Sequence, residues 1–304
     1  MRDLKNKLTS SKNTKNIQNR KGKSFGYQVL GFGAGGSGPP FDGTVTYLVL
    51  AGGGGGDQDN HGGGGGAGGY RTSHAPDRSG GTPGTAESTL TSLSGAYTLT
   101  VGAGGATRSS GSDSVFATIT SVGGGGGDEG ASEEGGDGGS GGGGGSVGGA
   151  SRPGGSATSG QGYQGGASVG SAPYYAGSGG GATEVGYAGL PGGDGTASTI
   201  TGSSVTRGGG GGAGSLPGAF TAGGSGGGGS GNTAGEVNKG AGGGGAAGYN
   251  NPPGSAGGSG LVVLKYNTYG AAPSVTPGIT YSITDNGDAT STLVATAGTG
   301  TVTF

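Results

Sequence analysis

Short runs of β-branched and aromatic residues recur along the chain, and long runs of glycine separate them. Apolar runs of this length, bounded by glycine, predict β-strands. No part of the body repeats its apolar residues every 3.6 positions, so very little α-helix is expected. The predicted fold class is therefore all-β, with a small β-scaffold of about five strands. The predicted strands of the body are residues 44–50, 96–101, 114–122, 197–205 and 261–266.

The glycine runs need a structure of their own, because a lone glycine-rich chain is a flexible coil. Polyproline-II geometry has three residues per turn and leaves the backbone amide and carbonyl groups free to bond outward. Rods whose side chains are hydrogen atoms can pack side by side and bond to several neighbours. A net hydrogen bond contributes about 0.5–1.5 kcal/mol, near the cost of ordering one residue, so only a bundle of rods would persist. We therefore expect a polyglycine-II-like helix bundle clamped at the β-scaffold.

The composition is that of a protein without a large apolar core. Glycine occupies 92 of the 304 positions, and hydrophobic residues make up only 28%. Collagen is excluded because glycine stands next to glycine and there are only 12 prolines. The chain has no cysteine and no tryptophan, which excludes disulfide bonds, thiolate metal sites and cysteine catalysis. Backbone hydrogen bonds must then provide an unusual share of the stability.

The chain divides into a basic N-terminal arm with an anchoring strand (residues 1–43), a glycine-rich body (44–267) and a C-terminal β segment (268–304). Residues 1–24 hold Asp3 as their only acid, and such a basic arm usually binds an acidic surface. The arm lacks aromatic residues for base stacking within residues 1–24, so an acidic protein surface is favoured over nucleic acid as its partner. A solvated arm without a partner is the remaining alternative. The predicted anchoring residues are Arg2, Lys5, Lys7, Lys12, Lys15, Arg20, Lys21, Lys23, Phe25, Tyr27 and Phe32.

No apolar stretch has the length of a signal-peptide core or of a transmembrane helix. The expectation is a protein that does not span a membrane, is made in a cytoplasm and is released by a route such as lysis.

The C-terminal segment predicts two further strands, residues 279–284 and 291–296. They flank residues 285–288, where Asn-Gly is typical of a tight hairpin turn. Two outcomes are open: these strands close the β-scaffold within one chain, or they add to the open edge of a neighbouring copy. The second outcome predicts that deleting residues 268–304 abolishes assembly and leaves the body folded.

Motifs that would indicate catalysis or a cofactor have weak support. Gly-x-Gly-x-x-Gly occurs often, but no copy follows a strand and opens a helix, as a dinucleotide site requires. The acidic residues between 128 and 137, and Asp285 with Asp288, offer oxygen ligands for calcium, although a solvated loop and a hairpin turn explain them better. His61 and His74 have no partner at catalytic or metal spacing and are interpreted as solvated loop residues. We expect no enzyme activity, no cofactor and no metal.

Several loops between glycine runs contain proline and aromatic residues, which are turn signals. They are expected at the ends of the rods, where side chains larger than hydrogen fit. Exposed tyrosine suits the binding of protein loops and sugar rings, because its flat face ends in a polar tip. Packing that caps the bundle is the equal alternative. The candidate binding residues are Tyr163, Tyr174, Tyr175, Tyr187, Phe220 and Tyr249.

An ordered set of these pieces resembles the glycine-rich domain of bacteriophage tail-fibre and receptor-binding proteins, and it covers about three quarters of the chain. The pieces are Val45-Thr-Tyr-Leu-Val-Leu-Ala-Gly-Gly-Gly-Gly-Gly56, Gly62–Gly66 with Ala67-Gly-Gly-Tyr-Arg-Thr-Ser73, Tyr97-Thr-Leu-Thr-Val-Gly-Ala-Gly-Gly105, Gly111-Ser-Asp-Ser-Val-Phe116, Ala197-Ser-Thr-Ile-Thr-Gly202 and Gly257-Gly-Ser-Gly-Leu-Val-Val-Leu-Lys-Tyr266. The chain is also similar to the polyglycine-II sandwich of T-even-type phage adhesins. It departs from that pattern by its basic arm and its extra C-terminal segment.

The resemblance implies a virion surface protein, a tail-fibre or head-fibre component whose loops bind a host receptor (an outer-membrane protein or a polysaccharide). The arm would then dock on other virion proteins, and the protein would be present as a homo-oligomer or in many copies. A purely structural role, as a capsid decoration or as the subunit of an extracellular filament, is the alternative.

Overall fold

The structure is a computed structural model of the chain, and it describes residues 41–58, 61–128, 134–146, 150–215, 219–246, 254–267 and 272–304. All of these except Phe41 belong to one compact unit. The regular elements in this unit are β-strands, which confirms the all-β class.

Thirteen strands are found in the described residues, so the prediction of about five is wrong. Most of the additional strands have two or three residues each, which makes them too short to stand out in a sequence pattern. The thirteen strands are β1 (Val45–Leu50), β2 (Tyr70–Thr72), β3 (Ala96–Val101), β4 (Ser114–Phe116), β5 (Ile119–Ser121), β6 (Thr196–Ser198), β7 (Val205–Arg207), β8 (Gly214–Ser215), β9 (Ala219–Phe220), β10 (Leu261–Asn267), β11 (Ser274–Val275), β12 (Ile279–Asp285) and β13 (Thr290–Thr303).

Nine of these strands form one antiparallel sheet in the order β2-β1-β10-β13-β3-β4-β5, with β11 and β12 also paired to β13. Its two outer strands, β2 and β5, approach each other and nearly close the sheet into a barrel. The amide of Gly69 donates to the carbonyl of Val122 (2.8 Å), and Arg71 Nη1 donates to the carbonyl of Thr120 (3.1 Å). Gln161 completes this seam, because its carbonyl accepts the Tyr70 amide and its side-chain oxygen accepts the Val122 amide.

Strands β1 and β10 are neighbours inside the sheet and are almost wholly buried. Successive residues of a strand point to opposite faces, so a continuous apolar run indicates a strand covered on both sides. One face of this pair packs on Ile200, which lies in the turn between β6 and β7. The members of that cluster are Leu48, Leu50, Tyr70, Ala182, Ile200, Leu261 and Val263.

The C-terminal strands pair within the chain. Residues 290–295 of β13 pair with β10, and residues 298–303 pair with β3. The predicted hairpin is present, since β12 pairs with β13 across the turn at residues 286–289. This is the first of the two outcomes that the sequence left open, and it makes β13 the bridge between the two halves of the sheet.

The glycine runs extend from this sheet as segments joined by lateral hydrogen bonds, and every third residue bonds to the same neighbour. Residues 51–57, which follow β1, bond to three neighbours in turn. Ala51, Gly54 and Asp57 donate to Gly69, Gly66 and Gly63; Gly52 and Gly55 donate to Ser112 and Ser109; Gly53 and Gly56 donate to Gly258 and Ser255. The distances lie between 2.8 and 3.1 Å.

Residues 62–69 form the centre of this arrangement. Among the described residues, backbone bonds join this segment to six others, which are 51–57, 122–128, 140–146, 176–182, 208–214 and 240–246. The chains approach so closely that a side chain would not fit. A Cβ atom built on Gly65 would lie 2.6 Å from the carbonyl carbon of Gly54 and closer still to its oxygen. None of the described residues is assigned to a helix, so the predicted helix bundle is not present as a helical element.

Candidate receptor-binding surface

The glycine segments have a sheet end, next to the strands, and a loop end, six or seven residues away. Residues 51–57 start directly after β1, so Asp57 lies at the loop end, and residues 62–69 return to β2. The bond between the amide of Gly62 and the carbonyl of Ala246 places residue 246 at the loop end as well. In the same way, Gly214 donates to Gly62 and Ala176 donates to Gly214. Large side chains from separate parts of the sequence are thereby brought to one end.

Arg108 fixes part of the loop end. Its Nε atom lies 3.2 Å from Oδ1 of Asp57 and donates to the carbonyl of Asp128 at 3.2 Å. Asp57 and Asp128 are fully buried, and the Asp128 carboxylate lies against the backbone of Gly145. A buried carboxylate is costly without a charged partner. This contact therefore holds two glycine segments together where the sheet no longer does.

Tyr174 and Tyr175 lie at the loop end and are partly buried. The ring of Tyr174 packs on His61, with centroids 5.7 Å apart and a tilt of 57°. Tyr175 lies over Gly189, where its ring leaves no room for a Cβ atom. His61 is therefore not the solvated loop residue that the sequence suggested, and burial lowers its pKa. These contacts agree with the capping interpretation and leave part of each tyrosine accessible.

Phe220 and Tyr187 are the more exposed candidates, at 51% and 50%. Phe220 lies in β9 and covers Gly231. Tyr187 is held by its backbone, which bonds to Ser178 in both directions. Leu190, which the sequence reading did not single out, is also 51% exposed and lies in the turn after Gly189. Exposed large apolar residues grouped at one end are typical of a binding surface.

Tyr163 lies nearer to the sheet end than the other candidates. Gln161, two residues before Tyr163, belongs to the seam between β2 and β5. The Tyr163 hydroxyl lies 3.2 Å from Oγ1 of Thr82. It lines a shallow cleft of about 330 Å³ together with Thr82 and Gln164. The structure thus separates Tyr163 from the residues of the loop end. Tyr249 and the predicted anchoring residues of the arm lie outside the described residues.

A partly buried ion pair lies at the sheet end. Arg71 donates to both carboxylate oxygens of Glu87, from Nε at 2.8 Å and from Nη2 at 2.6 Å, and Tyr47 Oη donates to Oε2 at 2.9 Å. Burial alone would raise the pKa of Glu87, but the hydrogen bonds from Arg71 and Tyr47 outweigh it and hold that pKa below its ordinary value. Burial and the Glu87 charge raise the pKa of Tyr47. These groups satisfy one another, which indicates a structural role.

The described part of the chain contains no group of three His, Asp or Glu residues that could hold a metal ion. Glu129 and Glu133 of the acidic loop lie outside that part, whereas Asp285 and Asp288 accept backbone amides in the hairpin turn. Over the same residues, no helix is long and apolar enough to cross a membrane.

Residues 27–267, more than three quarters of the chain, match the family model described as a glycine-rich domain. The chain belongs to this family. No curated protein matches the chain, and no solved structure matches it. The family match begins before β1 and ends with β10, so the C-terminal strands β11–β13 lie outside the part that the glycine-rich domain covers.

Sequence reasoning missed Leu190 and Arg108 in this glycine-rich domain, and it named His61 without predicting the contact of His61 with Tyr174. Leu190 is followed by proline and glycine, and that turn signal was available. No sequence signal pairs Arg108 with Asp57, because they are far apart in the chain and only the folded segments bring them together.

Proposed function

We propose that this chain is a bacteriophage virion surface protein, a tail-fibre or head-fibre component that binds the host cell surface without chemistry. The observation that carries the proposal is the grouping of exposed Phe220, Tyr187 and Leu190 at the loop end of closely bonded glycine segments. A rigid support lowers the entropy that a binding surface loses when it engages a partner. Large aromatic side chains on such a support supply contact area and lose little conformational entropy on binding.

The support would consist of polyglycine-II-like rods. The three-residue repeat of the bonds from residues 51–57 supports this geometry, because a polyproline-II chain has three residues per turn. The six bonded neighbours of residues 62–69 support hexagonal packing of such rods. A seven-residue rod is about 20 Å long at this rise per residue, so the loop end would stand well clear of the sheet.

The basic arm, residues 1–24, would dock on acidic surfaces of other virion proteins, and the stretch from Phe25 to Phe32 would add apolar contacts. Many copies on one particle would turn weak single contacts into strong attachment. The receptor would be an outer-membrane protein or a polysaccharide of the host. The protein would thus lie on the virion surface and reach the outside after lysis.

A purely structural role, in capsid decoration or in a filament, is the second candidate. The observation that favours it is the exposed edge strand β12, which is suited to contacts between copies. Imaging of labelled virions distinguishes the two, since an adhesin lies at fibre tips and a decoration protein coats the capsid regularly.

The test is binding of the fluorescently labelled full chain to a panel of bacterial strains. Leu190→Ser and Phe220→Ser together are expected to reduce cell-bound fluorescence at least about tenfold, as loss of two hot-spot side chains does. Val237→Ser is the matched control, because Val237 is 71% exposed but lies near the sheet end. The carbonyl of the preceding Glu236 lies against Gly258, which accepts the amide of Gly53 shortly after β1. Binding that the double variant retains in full, or that the control loses equally, would contradict the proposed surface.

A further inference from the structure

Strand β12 is the exposed edge of the sheet. It pairs with β13 on one side, and no other described strand pairs with its second side. Residues 280–285 are all exposed, and two of them are large and apolar, Tyr281 at 44% and Ile283 at 38%. An edge of this kind offers unpaired amides and carbonyls to another strand.

Strand β12 has few of the devices that usually protect an edge: its register with β13 shifts at a bulge between Thr280 and Tyr281, and residues 281–285 pair regularly. Its seven residues contain neither lysine nor proline, and their only charge is Asp285 at the end. The outer strands β2 and β5 differ, because the seam of Arg71 and Gln161 joins them to each other. The chain therefore closes one pair of edges and leaves β12 open.

The sequence of β12 is self-complementary when two copies run antiparallel. With Ser282 placed opposite Ser282 of a second copy, all seven residues overlap. Tyr281 then faces Ile283 of the second copy, and Thr280 faces Thr284. Aromatic with β-branched and threonine with threonine are favourable cross-strand pairs. The two Asp285 carboxylates lie at opposite ends of the pair, so like charges do not meet.

We propose that β12 is a self-association edge, on which two copies of this chain pair antiparallel about a two-fold axis at Ser282. The paired strands join two sheets into one. The contact is smaller than the roughly 1,200 Å² of a stable interface, so it forms at micromolar or higher concentration or where copies are held together. The proposal does not depend on receptor binding at the loop end.

A cysteine scan tests the register, because the chain has no cysteine of its own. Directly opposite residues have Cα atoms about 4.5–5.5 Å apart, within disulfide range, so Ser282→Cys is expected to form covalent dimers under mild oxidation with diamide. Thr280→Cys is the matched control: the two thiols would be four residues apart along the strand, about 13 Å, and cannot bridge. Thr280→Cys combined with Thr284→Cys is expected to regain the dimer.

The dimer fraction of Ser282→Cys, measured on a non-reducing gel, is expected to exceed that of Thr280→Cys about tenfold, because pairing raises the effective thiol concentration. Sedimentation of the unmodified chain should show an association that Ile283→Lys removes and Val237→Lys leaves unchanged. Equal cross-linking of both single-cysteine variants, or a chain that stays monomeric at every concentration, would overturn the proposal. Absence of cross-linking in Ser282→Cys would overturn the proposal as well. It would indicate that another segment, such as residues 25–32, occupies the edge.

Discussion

Gly65 is the position where one methyl group tests the packing of the glycine segments most sharply. It lies in the central segment, and a Cβ atom there would lie 2.6 Å from the carbonyl carbon of Gly54 and 3.0 Å from that of Gly55. Both obstacles are backbone and cannot rotate away. Gly54 is itself held by two bonds, to Gly66 and from Gly243, each 2.9 Å long. Gly65→Ala must therefore push two hydrogen-bonded chains apart.

The expected cost follows from three contributions. Overpacking costs about 1–3 kcal/mol. Loss of the two backbone bonds of Gly54 leaves a donor and an acceptor unsatisfied, at about 1–3 kcal/mol each. Replacing glycine with alanine lowers the conformational entropy of the unfolded chain, which offsets about 0.4–1 kcal/mol of this loss of stability. The free energy of unfolding should fall by roughly 2–8 kcal/mol, with a central value near 5, and the melting temperature by about 10–20 °C for a domain of this size.

Calorimetry and denaturant unfolding followed by tyrosine fluorescence measure the loss. Gly160→Ala is the matched control, since a Cβ atom there meets nothing within 4 Å, and its φ of +76° costs only about 1–2 kcal/mol. If Gly65→Ala destabilises the protein no more than Gly160→Ala does, close backbone packing does not stabilise this protein.

Two further predictions concern the sheet. Since the pKa of Glu87 is lowered in the folded state, its contribution to stability is present above the pKa of the unfolded chain and is lost as the pH falls through the folded value. Melting temperatures between pH 6 and pH 2.5 should fall with decreasing pH, and Glu87→Gln should reduce that dependence; an unchanged dependence would exclude Glu87 as its source. Deletion of residues 268–304 removes β13 from between β10 and β3, so far-ultraviolet circular dichroism and calorimetry should show no cooperative unfolding. A cooperative transition in the truncated chain would instead support a body that folds without this segment.

The longer strands could be predicted from the sequence because their β-branched and aromatic runs are continuous. Residues 96–101 form β3 with the predicted bounds, and β1 and β10 differ from prediction by one residue each. Residues 197–205 were predicted as one strand, but the structure forms a hairpin of β6 and β7. Gly202, at a φ of +90°, lies in its turn, and a single glycine among threonines and serines did not reveal it.

The long-range arrangement could not be predicted. Glycine inside a strand usually suggests a break, but β13 continues through Gly298 and Gly300 because β3 pairs with both residues and β12 pairs with Gly298. The sequence also does not show at which end a loop lies, since that depends on how many times the chain has crossed between the two ends. For this reason Tyr163 was grouped with Tyr174 and Tyr175, although Tyr163 lies nearer to the sheet end.

Hydrogen exchange of the glycine amides in residues 62–69 tests the central claim most directly. The claim is that bare backbone segments hold one another by lateral hydrogen bonds, and Gly65 and Gly66, for example, donate at 2.8 Å to Gly243 and Gly125. These amides are expected to exchange at least on the order of 10³-fold more slowly than in an unstructured chain, as slowly as those of β1 and β10. Exchange within about tenfold of the unstructured rate, alongside protected strands, would contradict the account.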